Sequence, residues 1–335
     1  MFPTACDTSE TAMRKHPRFH RWDAAIAAYL SSRRALGRRY TGEEHVLRSL
    51  RTHFAQRGAP DLDQANFESW YRGLTHCAHN TQVDYGMIVL RFCRYRRRGE
   101  PHCFIPERNT LGRHQPYPLP APIDDDQVVR LLNYLAHQPS ERERPWRWPA
   151  LRLAIVLLYT AGLRRGEVAR LTLEDVDATT GVLRIRASKF HKSRWVPLSP
   201  SATQELQVYL RARRAVDPRP SATASLLCNC IGGPFSPNVL SVAIRTLMLR
   251  SGVWAGAARL ARVHDFRHGF AVTALRRWYE ADTDVQSNLP KLALYMGHVS
   301  IASTAYYLRF MPAVVTLASQ RFHRSCGAIV DGGAS

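Results

Sequence analysis

His264-Asp265-Phe266-Arg267-His268 stands in a segment of helical periodicity, and three of its side chains share one side of the helix. His264 and Arg267 are three residues apart, close enough to grip one phosphate together, and His268 lies a further turn from His264. Upstream, Gly162-Leu163-Arg164-Arg165-Gly166-Glu167 places Arg164 and Glu167 at the same spacing, so that the carboxylate can hold the guanidinium in position. Downstream, Gly297-His298 leads to the pair Tyr306-Tyr307. Taken singly, each of these pairs reads equally well as a surface ion pair or a capping contact.

The composition narrows the partner. The 335 residues carry 47 Lys plus Arg against 27 Asp plus Glu, a formal charge of +20, so the chain attracts polyanions and steers their approach. Residues 1–115 hold 19 basic and 11 acidic side chains and residues 116–335 hold 28 and 16, which lets both halves face one polyanion, with nucleic acid the leading candidate. The plainer reading of the charge is solubility. The longest apolar run, Leu153 to Gly162, is too short to span a bilayer, and Met1 to Trp22 has no apolar signal core, so no membrane partner is expected and a cytoplasmic location is. The seven cysteines show no CxxC pairing, which implies reduced thiols and no zinc site.

From Arg21 to Arg98 the apolar residues recur at helical spacing: Trp22, Ile26, Tyr29 and Leu30, then Val46, Leu47, Leu50 and Phe54. A further helix is expected to start at an Asn80-Thr81 cap and to end in Arg94, Arg96, Arg97 and Arg98. That run is either a solvated helix end or a phosphate contact. Six prolines between Pro101 and Pro122 make the next stretch extended. The expected organisation is a helical domain over 15–112, a Pro-rich linker over 113–123, a second domain over 124–312 and a tail over 313–335. Asp124-Asp125-Asp126 reads as a helix start rather than a metal site. Val182 to Ala187 and Arg194 to Leu198 read as a β-hairpin, and a Pro- and Gly-containing loop around 217–237 interrupts later helices. The fold class is mainly α with a small β-sheet.

In their order, the three polar segments resemble the tyrosine recombinase (phage integrase) family: Gly-Leu-Arg with a following Glu, then His-x-x-Arg-His, then Gly-His and a Tyr nine residues on. The resemblance covers residues 124–312, and the helical N-terminal part is consistent with the family's core-binding domain. It implies an α+β catalytic domain that closes a C-shaped clamp on double-stranded DNA. Carried over position by position, it implies catalytic roles for Arg164, His264, Arg267 and His298, with Tyr307 as nucleophile and Tyr306 as its rival. The family's remaining position is a lysine on the hairpin. Only Lys15, Lys189, Lys192 and Lys291 stand beside 43 arginines, and two of the four lie in one hairpin loop. An ammonium can give up a proton where a guanidinium cannot, so a general acid is a reason to keep lysine there. The family pattern favours Lys189, with Lys192 the alternative.

The resemblance implies that the Tyr307 phenol attacks a DNA phosphodiester to give a 3′-phosphotyrosyl bond and a 5′-hydroxyl, with Arg164 and Arg267 stabilising the phosphoryl oxygens. His264 would assist the phenol's proton, His298 would hydrogen-bond the phosphoryl centre, and Lys189 would protonate the departing oxygen. No cofactor and no metal are implied. The partners implied are DNA and a homotetramer, or a mixed recombinase tetramer, with Val314 to Phe322 docking in trans. The segment around Trp278 to Asp284 is longer than in common phage integrases and looks more like transposon-borne members, which points to transposition. A non-cutting DNA-binding accessory and a type IB topoisomerase are the alternative readings.

Overall fold

The computed structural model describes residues 17–37, 40–116, 120–139, 144–186, 193–253, 261–298 and 300–310. Lys189, Lys192 and the Val314–Phe322 segment lie outside these residues. The chain divides into two compact units, Met1–Pro118 and Leu119–Ser335.

The first unit is helical. Helices α1 (Pro17–Arg34), α2 (Thr41–Gln56), α3 (Gln64–Arg72) and α4 (His79–Arg96) bury Trp22, Ile26, Tyr29, Leu30, Val46, Leu47, Leu50 and Phe54 in one core, as their 3–4 spacing dictates. One expectation fails here, and a second holds for the exposed Arg94, Arg97 and Arg98 but not for Arg96. Helix α4 starts at His79 after Ala78, with no side-chain cap; Asn80 instead exchanges hydrogen bonds with the Gln115 backbone, at 2.9 Å to its carbonyl and 2.7 Å from its N–H. Residues 113–115 are thereby tied back to α4, whose His79 Nε2 also hydrogen-bonds the Arg113 carbonyl at 2.9 Å. Arg96 is neither solvated nor available to phosphate. Its side chain is 2% exposed, bonds both Asp61 oxygens at 3.0 and 3.1 Å and Glu100 at 2.6 Å, and lies 4.5 Å from the Trp22 ring centre. Trp22 Nε1 donates to the same Asp61 at 2.6 Å. A guanidinium can leave water only with such partners, so this one works as a core clamp between α1, α4 and the Asp61 loop.

The second unit is built around α6 (Arg147–Thr160), which is apolar on all sides and buries Ala150, Leu151 and every residue from Leu153 to Tyr159. Helix α5 (Asp125–Ala136) packs on it. Asp124 accepts from the Gln127 N–H at 2.7 Å in a capping box, so the acidic triplet is the helix start expected of it. The short α7 (Arg165–Arg170) leads into an antiparallel sheet of β1 (Val176–Asp177), β2 (Val182–Ile185) and β3 (Arg194–Pro197) in the order 1-2-3. Leu183 pairs with Val196, and with Ile185 these side chains face the core; Arg184 pairs with Trp195 on the outer face. The remaining helices are α8 (Pro200–Arg214), α9 (Pro237–Arg250), α10 (His264–Glu280), α11 (Val285–Met296) and α12 (Ala302–Ala305), followed by a 3₁₀ turn over Tyr306–Phe310. No helix among the described residues is long and apolar enough to cross a membrane.

Asp61→Ala removes the bidentate partner of a buried guanidinium and is expected to cost about 2 kcal/mol. Glu100→Ala is expected to cost less, because Asp61 and the Trp22 ring still hold Arg96. Urea unfolding of the two variants gives the order; equal stability in both would remove Asp61 from this role.

Candidate active site

Two glycine turns aim the arginines. Gly162 follows α6 at φ +58° and Gly297 ends α11 at φ +68°, a left-handed geometry that a Cβ disfavours. At Gly162 a Cβ would also stand 2.4 Å from the Phe270 ring. Arg267, 1% exposed in the first turns of α10, donates to the Gly162 carbonyl at 2.5 Å and to the Met296 carbonyl at 2.7 Å. The Met296 carbonyl ends α11, where a helix leaves its acceptors unpaired and partly negative, and Gly162 lies two residues past the end of α6. Arg164, at the start of α7, donates to the Gly297 carbonyl at 2.8 Å and to Glu167 at 2.8 Å. The local ion pair expected from spacing is present, and the carboxylate also accepts from the Arg164 backbone N–H at 3.0 Å.

The aromatic side complements the cations. Tyr307 is 3% exposed and packs in the cluster of Ala271, Leu275, Leu292 and Met296, between α10 and α11. Its ring centre is 5.2 Å from that of His268 and 6.1 Å from that of His298. Tyr306 turns outward, 39% exposed. The His264 ring meets His268 at 4.7 Å, so His268 touches both His264 and Tyr307. His298 is held through Nδ1 by the Thr304 hydroxyl at 2.7 Å, which points Nε2 the other way.

Arg164, His264, Arg267, His298 and Tyr307 are thus brought together within one unit. Lys189 lies outside the described residues. Sequence reasoning missed Arg194, which opens β3 and binds Glu167 through both guanidinium nitrogens, and Thr304, whose contact spans a turn that no motif marks. It noted His268 only by its spacing to His264. Among the described residues no group of three His, Cys, Asp or Glu side chains is placed to hold a metal ion.

Electrostatically the described site carries three arginines, Arg164, Arg194 and Arg267, against the buried acids Glu167 and Asp265. Burial would push the Glu167 carboxyl up, but Arg194 and Arg164 override it and hold the group at about 2. Burial and the neighbouring Arg164 draw Arg267 down to about 10. His264 falls to about 4 through burial and the charges of His268 and Arg267, and His298 to about 3 through burial and the fields of Arg267 and Arg164. Burial raises the Tyr307 phenol, against a smaller pull downward from Arg267. At neutral pH the arrangement therefore presents two arginines, neutral histidines and a protonated phenol. It can hold a phosphoryl group, accept a proton and supply a nucleophilic oxygen.

Comparison with known proteins agrees with this reading. Residues 122–312 match the phage integrase family. Over 305 residues the chain is 30% identical to y4rB of Sinorhizobium fredii, an integrase/recombinase by name, covering 90% of this chain and 96% of that protein. It is 26% identical over 272 residues to tyrosine recombinase XerC of Vibrio parahaemolyticus, covering 78% and 79%. Among solved structures, the fold is like that of the Tn1549 transposon integrase in complex with transposon right end DNA, at TM-score 0.61 and 15% identity over 90% of this chain and 98% of that one. It is also like that of the XerH recombinase bound to difH, at TM-score 0.58 and 17% identity over 85% and 78%.

The depressed histidines couple the site to folding. The unfolded chain takes up protons near pH 6.5 that folded His264 and His298 refuse until about 4 and 3, so stability is full above 6.5 and falls as the pH drops below it. Glu167 adds a further loss between its usual value near 4.5 and about 2. Urea midpoints measured from pH 8 to pH 4 are expected to decline, with a shallower slope in His298→Asn. An unchanged slope in that variant would mean that His298 titrates normally.

Proposed function

Because the chain belongs to the phage integrase family, we propose that it is a site-specific DNA recombinase in which Tyr307 makes and breaks the bond to DNA. The observation that carries this is the burial of one tyrosine of the pair against His268 and His298, inside the ring of Arg164 and Arg267, while its neighbour faces solvent.

In this reading a duplex phosphodiester enters the cationic cluster, and Arg164 and Arg267 bind its non-bridging oxygens, where charge grows in the transition state. The Tyr307 oxygen attacks phosphorus and the bond from phosphorus to the 5′-oxygen breaks, leaving a 3′-phosphotyrosyl link and a 5′-hydroxyl. The phenol gives up its proton as it attacks. His264 is neutral and able to accept it, and the intervening His268 ring orders the approach. His298 donates from Nε2 to the phosphoryl centre. Lys189 protonates the departing 5′-oxygen. Rejoining reverses these transfers with a 5′-hydroxyl from the partner duplex, so the energy of the broken bond is kept in the phosphotyrosyl link. Four protomers on two DNA sites carry out the exchange, and transposition is the biological setting.

A nicked duplex built from the DNA flanking the gene, incubated with protein and denatured, is expected to yield a covalent adduct with wild type and Tyr306→Phe and none with Tyr307→Phe. Loss of adduct in Tyr306→Phe alone would exchange the two tyrosines. Wild type that binds this DNA without forming adduct would favour a non-cutting accessory, and relaxation of supercoils without recombinant products would favour a topoisomerase.

A further inference from the structure

We propose that Arg194 is a positioning residue of the strand-exchange chemistry: by engaging both oxygens of Glu167 it fixes Arg164 and keeps that arginine's charge available to the phosphodiester. The inference rests on the recombinase reading above.

Arg194 is the first residue of β3, and its side chain is 10% exposed. Its Nη1 and Nη2 donate to the two Glu167 oxygens at 3.1 and 2.9 Å, and its Nε donates to the Tyr295 carbonyl, in the last turn of α11, at 2.8 Å. All three nitrogens are engaged, so this guanidinium faces the protein rather than a ligand. Glu167, 2% exposed, then accepts four hydrogen bonds, two from Arg194 and two from Arg164, which matches the full acceptor capacity of a carboxylate.

That sharing has an electrostatic consequence. Glu167 and Arg164 alone would form a neutral pair, and a buried carboxylate at 2.8 Å would offset most of the attraction that Arg164 can exert on a phosphate. With Arg194 on the opposite side, the three groups sum to one positive charge, and Arg164 keeps its remaining N–H groups for other acceptors. The same arginine also supports the Gly297 turn. A Cβ at Gly297 would lie 2.8 Å from Arg194 Nη1 and 3.1 Å from its Cζ, so the guanidinium occupies the notch that the glycine leaves. The Gly297 carbonyl is the acceptor of Arg164 Nη2, and His298 is the next residue. Arg194 therefore steadies the other two anchors of Arg164, its carboxylate and its carbonyl.

Lysine cannot reproduce this, because one ammonium cannot span both carboxylate oxygens and reach Tyr295. A purely structural ion pair would cost stability when lost and leave the rate of the folded enzyme alone. A positioning role lowers the rate at saturating protein while DNA affinity, set by many other contacts, holds.

The test uses the full chain and the nicked duplex of flanking DNA, with single-turnover adduct formation and DNA affinity measured for wild type, Arg194→Met, Arg194→Lys, Glu167→Gln and the Arg194→Met/Glu167→Gln double variant. Arg194→Met is expected to lower the saturated rate about 10- to 100-fold with little change in affinity, and Arg194→Lys to recover only part of it. The double variant is expected to be no slower than the slower single variant, because Arg194 acts through Glu167. A folded Arg194→Met that cleaves at the wild-type rate, or losses that multiply in the double variant, would overturn the proposal. Should Arg194→Met not fold, Arg194→Lys decides: a wild-type rate in it refutes the need for the fork. Histidine titration by NMR in the free protein supplies a readout independent of DNA. Removal of the Arg194 charge is expected to move the His298 midpoint upward, and an unmoved midpoint counts against the electrostatic half. Wild type that forms no adduct would sink the recombinase reading and leave this titration to judge the charge arrangement.

Discussion

The catalytic unit depends on a guanidinium taken out of water. Arg267 is as buried as any leucine of the core, and stripping its hydration costs several kcal/mol unless strong acceptors replace the water. The acceptors are the Met296 carbonyl, at the end of α11, and the Gly162 carbonyl, in the turn that follows α6. One side chain on α10 thus ties the turn after α6 and the end of α11 to a common point. His264 and His268 share its helical turn, and Tyr307 packs against the same helix, so the polar constellation inherits the rigidity of that junction.

Such an arrangement holds more positive charge than its neighbours neutralise. Glu167 is the carboxylate that meets both Arg164 and Arg194, and Arg267 donates to the Gly162 and Met296 carbonyls. Burial first, and this repulsion after it, lowers the affinities of Arg267, His264 and His298 for protons. Hydrophobic burial around α6 holds the cluster in place. An entering phosphodiester relieves the repulsion, and since it gains further negative charge on attack, the relief is greatest in the transition state. In the proposed reaction the same anion would raise both histidines toward protonation and so prepare the site to accept the phenol's proton.

What could be read from the chain and what could not divides by sequence distance. The Arg164–Glu167 pair, the Asp124 cap and the two paired strands are decided within a few residues, and spacing shows them directly. The core positions of α1 and α2 follow from periodicity in the same way. Arg96 was legible only as one of five arginines between 91 and 98, since the Asp61 that buries it lies 35 residues away. Arg194 looked like a strand residue beside a hairpin, because its partners Glu167 and Tyr295 are 27 and 101 residues distant. Asn80 has the chemistry of a cap, yet its amide pairs better with the chain at Gln115, and the helix begins without it. In each case a long-range partner outweighed a local preference.

The choice between two adjacent tyrosines shows how packing sets chemistry. A step of one residue turns a side chain by about 100°, so a single tyrosine of the pair can face inward. The apolar cluster of Ala271, Leu275, Leu292 and Met296 accepts a ring at 307, and it is this cluster, not the phenol's own reactivity, that selects the register. Burial of the ring also removes the water that would help the hydroxyl ionise, which is why the phenol is raised even though Arg267 stands beside it. A desolvated, protonated phenol is inert toward stray electrophiles. In the proposed reaction it would attack only once a phosphodiester has entered and its proton has somewhere to go. Under that proposal the core packing that fixes the tyrosine would also keep it idle until DNA is bound.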